Sequence, residues 1–405
     1  MLHTTMVHTT TGMRPHSGGP AMIRMLTAYT REIDDIKRAA AEILEQLQLD
    51  ERLLRCSVGL LAFHPDFLET GAVKAVSAAL PFDSIGGTTS NLAVPGDLGD
   101  LILTVTVLTS DDVEFRAGAV LLDDDPGASI RESYARLVPH AGEKPALLLT
   151  VAPVIGNVGG DDVIEALNAA SGGVPVFGSL ATAPNPYLHG TATCMNGAHQ
   201  ENLFTLIAVF GDVNPQFYHT SIPDDRVIQQ NAVITRSEKH MLQSINGLSA
   251  LGYLESIGLA ENGNIAAGIA SIPFVLGLDD GTRLVRAANR ATKEGYIKAY
   301  GNVPQGASIG FSGCNAGFVL NSAKERVARP IAASGRDCAL IVSCEARKWT
   351  LGTRPTAEMR EVVDCLDTLL PYRIIYAGGE LCPVTNRAGR LVNSFQNFSM
   401  IACVL

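Results

Sequence analysis

The C-terminal stretch Asp337–Leu405 alternates apolar strands with a helix, and it constrains the fold more than any other part of the chain. Cys338–Ser343 is a continuous apolar run of strand length, which is typical of a strand buried on both faces of a sheet. A charged turn over 345–347 and a helix follow, then a second strand over Arg373–Ala377 and a last apolar strand over about 398–405. This pattern predicts sheets covered by helices.

The same order of elements occurs twice before residue 212 and predicts an internal repeat. Helix, strand, helix, glycine-ended short strand and longer strands are expected first at about 33–47, 57–63, 66–80, 84–89, 101–108 and 113–122, and then at 129–137, 146–152, 161–170, 174–179, 191–195 and 203–210. A third variation is expected to open with a long helix over about Ser237–Ile257. The predicted fold class is α/β with mixed (α+β) sheets, built as two packed lobes with layered helices and sheets and a helix-strand-helix-strand repeat.

Local composition divides the chain into a tail and two domains. Residues 1–24 are polar and Thr-rich, with Gly and Pro breaks and without the apolar segment of a signal peptide, so we predict a disordered tail. The segment from Pro215 to Asp225 is the best linker candidate. The expected domains are therefore 25–215 and 225–405.

Charge and cysteine usage exclude several classes of partner. The net charge of −10 argues against nucleic acid, since phosphate binding requires clustered Lys and Arg. The apolar runs fall short of the roughly 18 residues of a membrane-spanning helix. The eight cysteines include no Cys-x-x-Cys pair, so we predict reduced thiols, a cytoplasmic protein and no metal site.

Several segments carry short motifs that are similar to those of a known pair of domains. Ala339–Gly352 (ALIVSCEARKWTLG), Tyr376–Pro383 (YAGGELCP) and Phe395–Met400 (FQNFSM) are similar to motifs of the FIST C-terminal domain, although Gln396 stands where the family usually has His. Segments 85–90, 156–162 and 174–181 resemble the glycine-ended strands of the FIST N-terminal domain. The resemblance covers nearly the whole chain.

The resemblance implies a sensory function. FIST domains occur in bacterial signalling proteins, beside kinases, chemoreceptors and cyclic-dinucleotide enzymes, and are thought to bind small ligands such as amino acids. Some members bind haem and sense nitric oxide. We therefore expect a small-molecule ligand, a signalling partner such as a kinase or chemoreceptor, and no nucleic acid or membrane.

The candidate ligand-binding residues lie where strands end, because binding groups gather beyond the C-terminal ends of strands in open α/β sheets. An Arg side chain offers a planar fork to a ligand carboxylate, and a Glu side chain can hold an ammonium group. Arg347 and Glu380 could equally bridge one another and only tie two loops together. The predicted set is Ser343, Cys344, Arg347, Gly378, Gly379, Glu380, Cys382, Asn397 and Arg286.

Two further functions stay open. Non-covalent haem needs one axial histidine, for which His189 and His219 are the preferred candidates, whereas the leading interpretation has no cofactor. An enzyme would use Cys344, Cys382 or Glu380 beside a base, but the sequence assembles no complete catalytic set. The segment 156–160 lacks the Gly-Lys-Ser/Thr ending of a phosphate loop, so Asp161 and Asp162 are predicted to cap the following helix.

Overall fold

The computed structural model describes residues 22–155, 158–184, 190–220, 222–265, 269–386 and 388–405. Within them the chain forms three units with a common order of strands and helices, and the third unit carries an inserted subdomain. The first unit contains, in chain order, β1 (Arg24–Thr30), α1 (Ile36–Leu47), α2 (Leu49–Arg52), β2 (Cys56–Phe63), α3 (Asp66–Glu69), α4 (Ala72–Ala79), β3 (Ser84–Thr88), β4 (Leu92–Val94), β5 (Asp97–Gly99) and β6 (Leu103–Ser110).

The second and third units repeat this order. The second contains β7 (Glu114–Leu121), α5 (Pro126–Leu137), β8 (Leu147–Ala152), α6 (Gly160–Ser171), β9 (Val176–Leu180), β10 (Thr193–Met195), β11 (Ala198–Gln200) and β12 (Leu203–Phe210). The third begins with β13 (Gln216–His219). The inserted subdomain then comprises β14 (Ile228–Glu238), β15 (Met241–Ile245), β16 (Leu248–Ser249), α7 (Ala250–Ser256), β17 (Ala260–Glu261), β18 (Asn264–Ile265), β19 (Phe274–Gly277), β20 (Arg283–Arg286), β21 (Ala288–Ala291), β22 (Ile297–Ala299) and β23 (Ser308–Phe311).

The third unit resumes after the insertion. Its remaining elements are α8 (Ala316–Ala323), a π-helical stretch (Lys324–Ala328), α9 (Arg329–Ala332), β24 (Ala339–Cys344), α10 (Glu345–Thr350), α11 (Ala357–Leu366), β25 (Tyr372–Ala377), β26 (Glu380–Thr385), β27 (Leu391–Gln396) and β28 (Met400–Val404).

Each unit builds a six-stranded mixed sheet on the same plan. The strand orders are β1-β6-β2-β3-β10-β11, β7-β12-β8-β9-β26-β27 and β13-β28-β24-β25-β4-β5. The two central strands of each sheet are parallel: β2 with β3, β8 with β9, and β24 with β25. The remaining neighbours in the three sheets pair antiparallel. This confirms the predicted α/β fold class with mixed sheets, and the predicted repeat occurs three times.

The units exchange their hairpins in a cycle. The hairpin β4–β5 of the first unit pairs with β25 of the third, β10–β11 of the second pairs with β3 of the first, and β26–β27 of the third pairs with β9 of the second. Backbone hydrogen bonds therefore join every unit to the other two. The N-terminal and C-terminal portions are interleaved through these shared sheets instead of lying side by side as two separate lobes.

The inner faces of the three sheets meet in one apolar core, and helices cover their outer faces. Leu60 of the first sheet, Leu149 of the second and Val342 of the third belong to this central core. Helix α1, which begins after the N-cap residue Asp35, packs Ile43 against the outer face of the first sheet. Helices α5 and α6 cover the second sheet, and α8, α9 and α11 cover the third. Burial on both faces explains the continuous apolar runs of the central strands.

The inserted subdomain has its own core and corrects one prediction. Its main sheet has the order β20-β19-β23-β14-β15-β22-β21, and its apolar side chains form a separate cluster. The long helix predicted over Ser237–Ile257 is wrong, because most of that segment forms β15, β16 and the turns beside them. Asn246 and Gly247 have φ values of 49° and 82°, and two successive left-handed residues make a tight hairpin turn that an α-helix cannot contain.

Two further boundaries differ from the predictions. The predicted tail of residues 1–24 falls mostly outside the described residues, but Arg24 already begins β1, and Ile23 and Met25 are buried in the central core. The predicted loop over 378–383 is shorter, since Glu380 begins β26 and pairs with Ser179 of the second unit. None of the helices in the described part of the chain combines the length and apolar character required to span a bilayer.

Candidate functional site

The strand ends at which sequence analysis placed the candidate ligand-binding residues lie where the three units meet. The loops that follow β3, β9 and β25 bond to one another: the Thr182 amide donates to the Thr88 carbonyl at 3.0 Å, and the Gly378 amide donates to the Leu180 carbonyl at 3.0 Å. The Thr89 hydroxyl closes the cycle by donating to the Tyr376 carbonyl at 2.7 Å. The predicted site residues at the end of β25 therefore belong to a junction of all three units.

Arg347 forms a fully buried ion pair with Glu358, a residue that the sequence reasoning missed. Both side chains have 0% exposure, and Nε of Arg347 donates to Oε1 of Glu358 at 2.8 Å. The other two nitrogens of Arg347 donate to Thr220 and to the Val319 carbonyl at 3.4 and 3.0 Å. Ser343 donates to Oε2 of Glu358 at 2.7 Å. The alternative in which Arg347 bridges Glu380 is wrong, since Arg347 pairs with Glu358 of α11 instead.

Glu358 could have been found from the helical pattern. It lies four residues before Val362 and eight before Leu366, so it shares the buried stripe of α11. An acidic residue on an apolar stripe indicates a buried cationic partner, because an unpaired buried charge is costly. Arg347 is that partner.

Cys344 and Glu380 form a second buried cluster, on the opposite face of β24 from Ser343. Oε2 of Glu380 accepts from the Ser399 hydroxyl at 2.7 Å and the Ser399 amide at 3.3 Å, while Oε1 has no hydrogen-bond partner. Burial raises the pKa of Glu380 to about 8, against the lowering effect of its hydrogen bonds to Ser399 and Cys344. Burial also raises the pKa of the Cys344 thiol well above its ordinary value, and the neighbouring Glu380 adds to this.

Gly378 and Gly379 precede Glu380; Gly378 packs against the Ala181 carbonyl, and Gly379 packs against Phe395 and Asn397. A Cβ atom on Gly379 would lie 2.4 Å from the Phe395 ring, so this position requires glycine. The backbone N–H of Asn397 donates to the Val285 carbonyl at 3.2 Å, which connects this end of β27 to the inserted subdomain. Cys382 lies in the central core, and burial raises the pKa of its thiol.

Arg286 lies in a different place and fixes the inserted subdomain to the second unit. Its side chain is 0% exposed and donates from Nη2 to Oδ1 of Asp161 at 2.8 Å, and from Nη1 to the Phe395 carbonyl at 2.9 Å. Asp161 was predicted to cap α6, but that function belongs to Asp162, whose Oδ2 accepts from the Gly159 amide at 2.9 Å. Arg286 is therefore not part of the cluster around Glu380.

A small cavity lies among the central strands of all three sheets. Its free volume is about 30 Å³, and its walls come from β2, β8, β9, β24 and β25. Leu60, Leu149 and Leu340 line it from three different units, and Ser179 and Arg373 contribute polar groups. The sequence reasoning placed Arg373 at the start of a strand without assigning it a role. Arg373 lies two residues before Ile375 and four before Ala377, which belong to the central core. Because residues two apart in a strand face the same side of the sheet, this spacing directs Arg373 inward.

Two larger cavities are open depressions away from this centre. One of about 670 Å³ lies beside α3 and β11, and its lining includes Glu69, His199 and Glu201. The other, of about 550 Å³, lies on a face of the inserted subdomain and includes Asp224 and Arg283, which are ion-paired with each other. The first is lined by residues of the first and second units and the second by the inserted subdomain, whereas the central cavity contacts all three sheets.

The haem and enzyme hypotheses stay predictions. His189 lies outside the described residues. His219 lies on β13, where burial lowers the pKa of its imidazole. Cys344 and Cys382 are both buried with raised thiol pKa values, so both are protonated at neutral pH, whereas a nucleophilic cysteine requires a thiolate.

The fold and this junction define a mixed α/β protein with three interleaved units. Comparison with family models finds the FIST N domain over residues 57–248 and the FIST C domain over residues 250–383. The chain therefore belongs to the FIST family, whose domains are sensory domains of signal transduction. The domain boundaries at 215 and 225 stay a prediction.

Comparisons with individual proteins add little to this assignment. No curated protein matches the chain. Among solved structures, the chain is similar to one described as a cyanuric acid hydrolase that evolved by structural concatenation, with 9% identity, a TM-score of 0.34, and coverage of 95% of this chain and 100% of the other. A similarity at this level does not support an argument about function.

Proposed function

We propose that this FIST protein is a cytoplasmic sensory protein that binds a small ligand in the central cavity and passes the signal to a partner protein, such as a kinase or chemoreceptor. One observation carries the proposal: a single cavity is walled by central strands of all three units. A ligand there contacts three sheets at once. The eight free cysteines, six of them buried, suit the reducing cytoplasm.

The proposed response is a change in how the three sheets pack. A ligand shifts a conformational equilibrium only when it binds one state more tightly than another. A molecule in the central cavity makes its full set of contacts only when the three inner faces close around it, so binding favours the closed arrangement. Sensing therefore requires no catalytic step.

Cavity size restricts the ligand. A water molecule needs roughly 10–15 Å³ of such free volume, so the cavity of about 30 Å³ has room for about two water molecules. Among small carboxylates, this volume favours the smallest, such as formate and acetate, over amino acids. The ligand function predicted for Arg347 finds less support, because each of its three nitrogens donates to a protein acceptor.

Replacing Val342 by Ile tests the location of the ligand. Val342 lines the cavity from β24, so the added methyl group occupies the space that a ligand needs. We expect at least one of formate, acetate, glycine and neutral formamide to raise the Tm of the native protein. A compound that does so should not raise the Tm of Val342→Ile. Differential scanning fluorimetry over this panel gives the comparison.

Val209→Ile is the matched control. Val209 is fully buried in the same central core but does not line the cavity. The extra methyl group there overpacks a filled region and costs about 1–3 kcal/mol, but the ligand-induced rise in Tm should persist. A native protein that responds to no member of the panel, or a Val342→Ile variant that responds as fully as the native protein, contradicts the proposed function.

A further inference from the structure

Arg373 is a buried cation without a carboxylate partner. It is the second residue of β25, is 6% exposed, and lies on the wall of the central cavity. Its Nη2 donates to the Leu61 carbonyl at 3.3 Å, and its Nε has no hydrogen-bond partner. Among the residues that the structure describes, no carboxylate forms an ion pair with Arg373. Two other fully buried arginines, Arg286 and Arg347, each pair with a carboxylate.

The guanidinium nevertheless keeps its charge. Burial alone lowers the pKa of Arg373 to about 10, so the side chain is protonated at neutral pH. A buried charge is tolerated where it is paired, because an unpaired one loses its hydration without compensation. The charge of Arg373 and its unused donors therefore call for an anion at this place.

We infer that Arg373 holds a small monovalent anion in the central cavity. The inference rests on the proposed function, for which it names the class of ligand. A monovalent anion neutralises one guanidinium, whereas a divalent anion leaves an uncompensated negative charge among apolar walls. The fork of an arginine suits a carboxylate bidentately, and its N–H groups also bind a halide. The free volume of about 30 Å³ admits formate or a halide.

Ser179 gives the site a second polar group. It lies on β9 opposite Glu380, and it lines the same cavity as Arg373. Arg373 and Ser179 belong to sheets of different units, so an anion between them joins two units directly. Binding of the anion is thereby coupled to the packing of the sheets.

Thermal unfolding at constant ionic strength in sodium gluconate, formate or bromide tests the inference. Gluconate is too large for the cavity and serves as the reference anion. We expect the native protein to gain about 3 °C in Tm at anion concentrations about one hundred times the Kd. Arg373→Met should lose this gain and should melt in gluconate no lower than the native protein, since replacing an unpaired buried charge by an apolar side chain removes a destabilising group.

Bromide also gives a direct readout. Crystals of the native protein grown in bromide should show an anomalous peak beside the guanidinium of Arg373, and crystals of Arg373→Met should not. Arg286→Met is the matched control, because it removes a buried arginine that has a protein partner. It should lower the Tm in all three salts and retain the difference between them.

The outcomes separate this inference from the proposed function. Stabilisation by formate alone identifies a carboxylate ligand, and stabilisation by both salts identifies any small monovalent anion; both support the inference. An equal effect in native protein and Arg373→Met overturns it. If Arg373→Met does not fold, Arg373→Lys decides, with formate binding expected to weaken about tenfold through the loss of one charge-assisted hydrogen bond. Neutral formamide that stabilises the native protein and Arg373→Met, but not Val342→Ile, refutes the anion and leaves the proposed function standing.

Discussion

Glu358→Gln is expected to lower the free energy of unfolding by about 3–5 kcal/mol, because it leaves Arg347 buried without its counter-charge. Glu358 accepts from Arg347, from Ser343 at 2.7 Å and from the Tyr376 hydroxyl at 3.2 Å, so one substitution disturbs the contacts of three side chains. Urea unfolding of native and variant protein, monitored by circular dichroism, measures the difference.

Glu325→Gln is the matched control for this prediction. Glu325 pairs with Arg329 on the surface, where the two side chains are 39% and 61% exposed. Removing that pair should cost less than about 1 kcal/mol, as is typical of exposed ion pairs. Equal losses in the two variants contradict the importance of the buried pair. Further replacement of Arg347 by Met in the Glu358→Gln background should recover most of the lost stability.

The stability of the native protein is expected to fall as pH rises from 5 to 8, by about 3.5 kcal/mol more than that of Glu380→Gln. The pKa of Glu380 is raised from 4.5 to about 8 in the folded protein. Between these values the unfolded chain releases the proton that the folded protein retains. Each increase in pH within that window therefore favours the unfolded chain. Below about pH 4.5 both states are protonated, so the stabilising effect of the protonated Glu380 is complete and no longer changes with pH.

Urea unfolding at several pH values measures this difference. Gln mimics the neutral acid and does not titrate, so Glu380→Gln removes one contribution and leaves the other groups unchanged. Glu45→Gln, at an exposed position of α1, controls for the loss of a surface carboxylate and should keep the native pH profile. If native protein and Glu380→Gln show parallel profiles of stability against pH, the raised pKa of a buried carboxyl group without a cationic partner is contradicted at this position.

The sequence predicted most strands and helices of the three units because their apolar runs are local. Cys338–Ser343 became β24, and Ser57–Phe63 became β2, each within a residue of its predicted end. The error at 237–257 has a local cause as well. Met241, Ile245 and Leu248 fit a helical stripe by spacing alone, but the Asn246-Gly247 pair between them specifies a hairpin turn.

The exchange of hairpins could not be read from the sequence, because pairing partners lie far apart in the chain. Glu380 pairs with Ser179, and Leu92 pairs with Ile375, and nothing in either segment specifies such distant partners. Without knowledge of that pairing, Glu380 was assigned to a loop, because Gly378 and Gly379 precede it and Pro383 follows it. The strand forms because β9 offers an unpaired edge.

The candidate site was predicted in part. Sequence reasoning expected Cys344 and Glu380 to meet because both follow strands that end at the same edge, and the structure places the two side chains in one buried cluster. Arg373 received no role because a single basic residue at the start of a strand is usually solvated. Its alternation with Ile375 and Ala377 directs it to the inner face, but its burial also requires the third sheet to face the other two.

Amide hydrogen exchange with and without sodium formate tests the central claim most directly, namely that a small ligand binds between the three sheets. The account predicts slower exchange in β2, β8 and β24 together, since these central strands of three units line the cavity. The exchange rates in the inserted subdomain should change less. Slower exchange confined to one unit, or to the inserted subdomain, would place the ligand elsewhere and contradict the account.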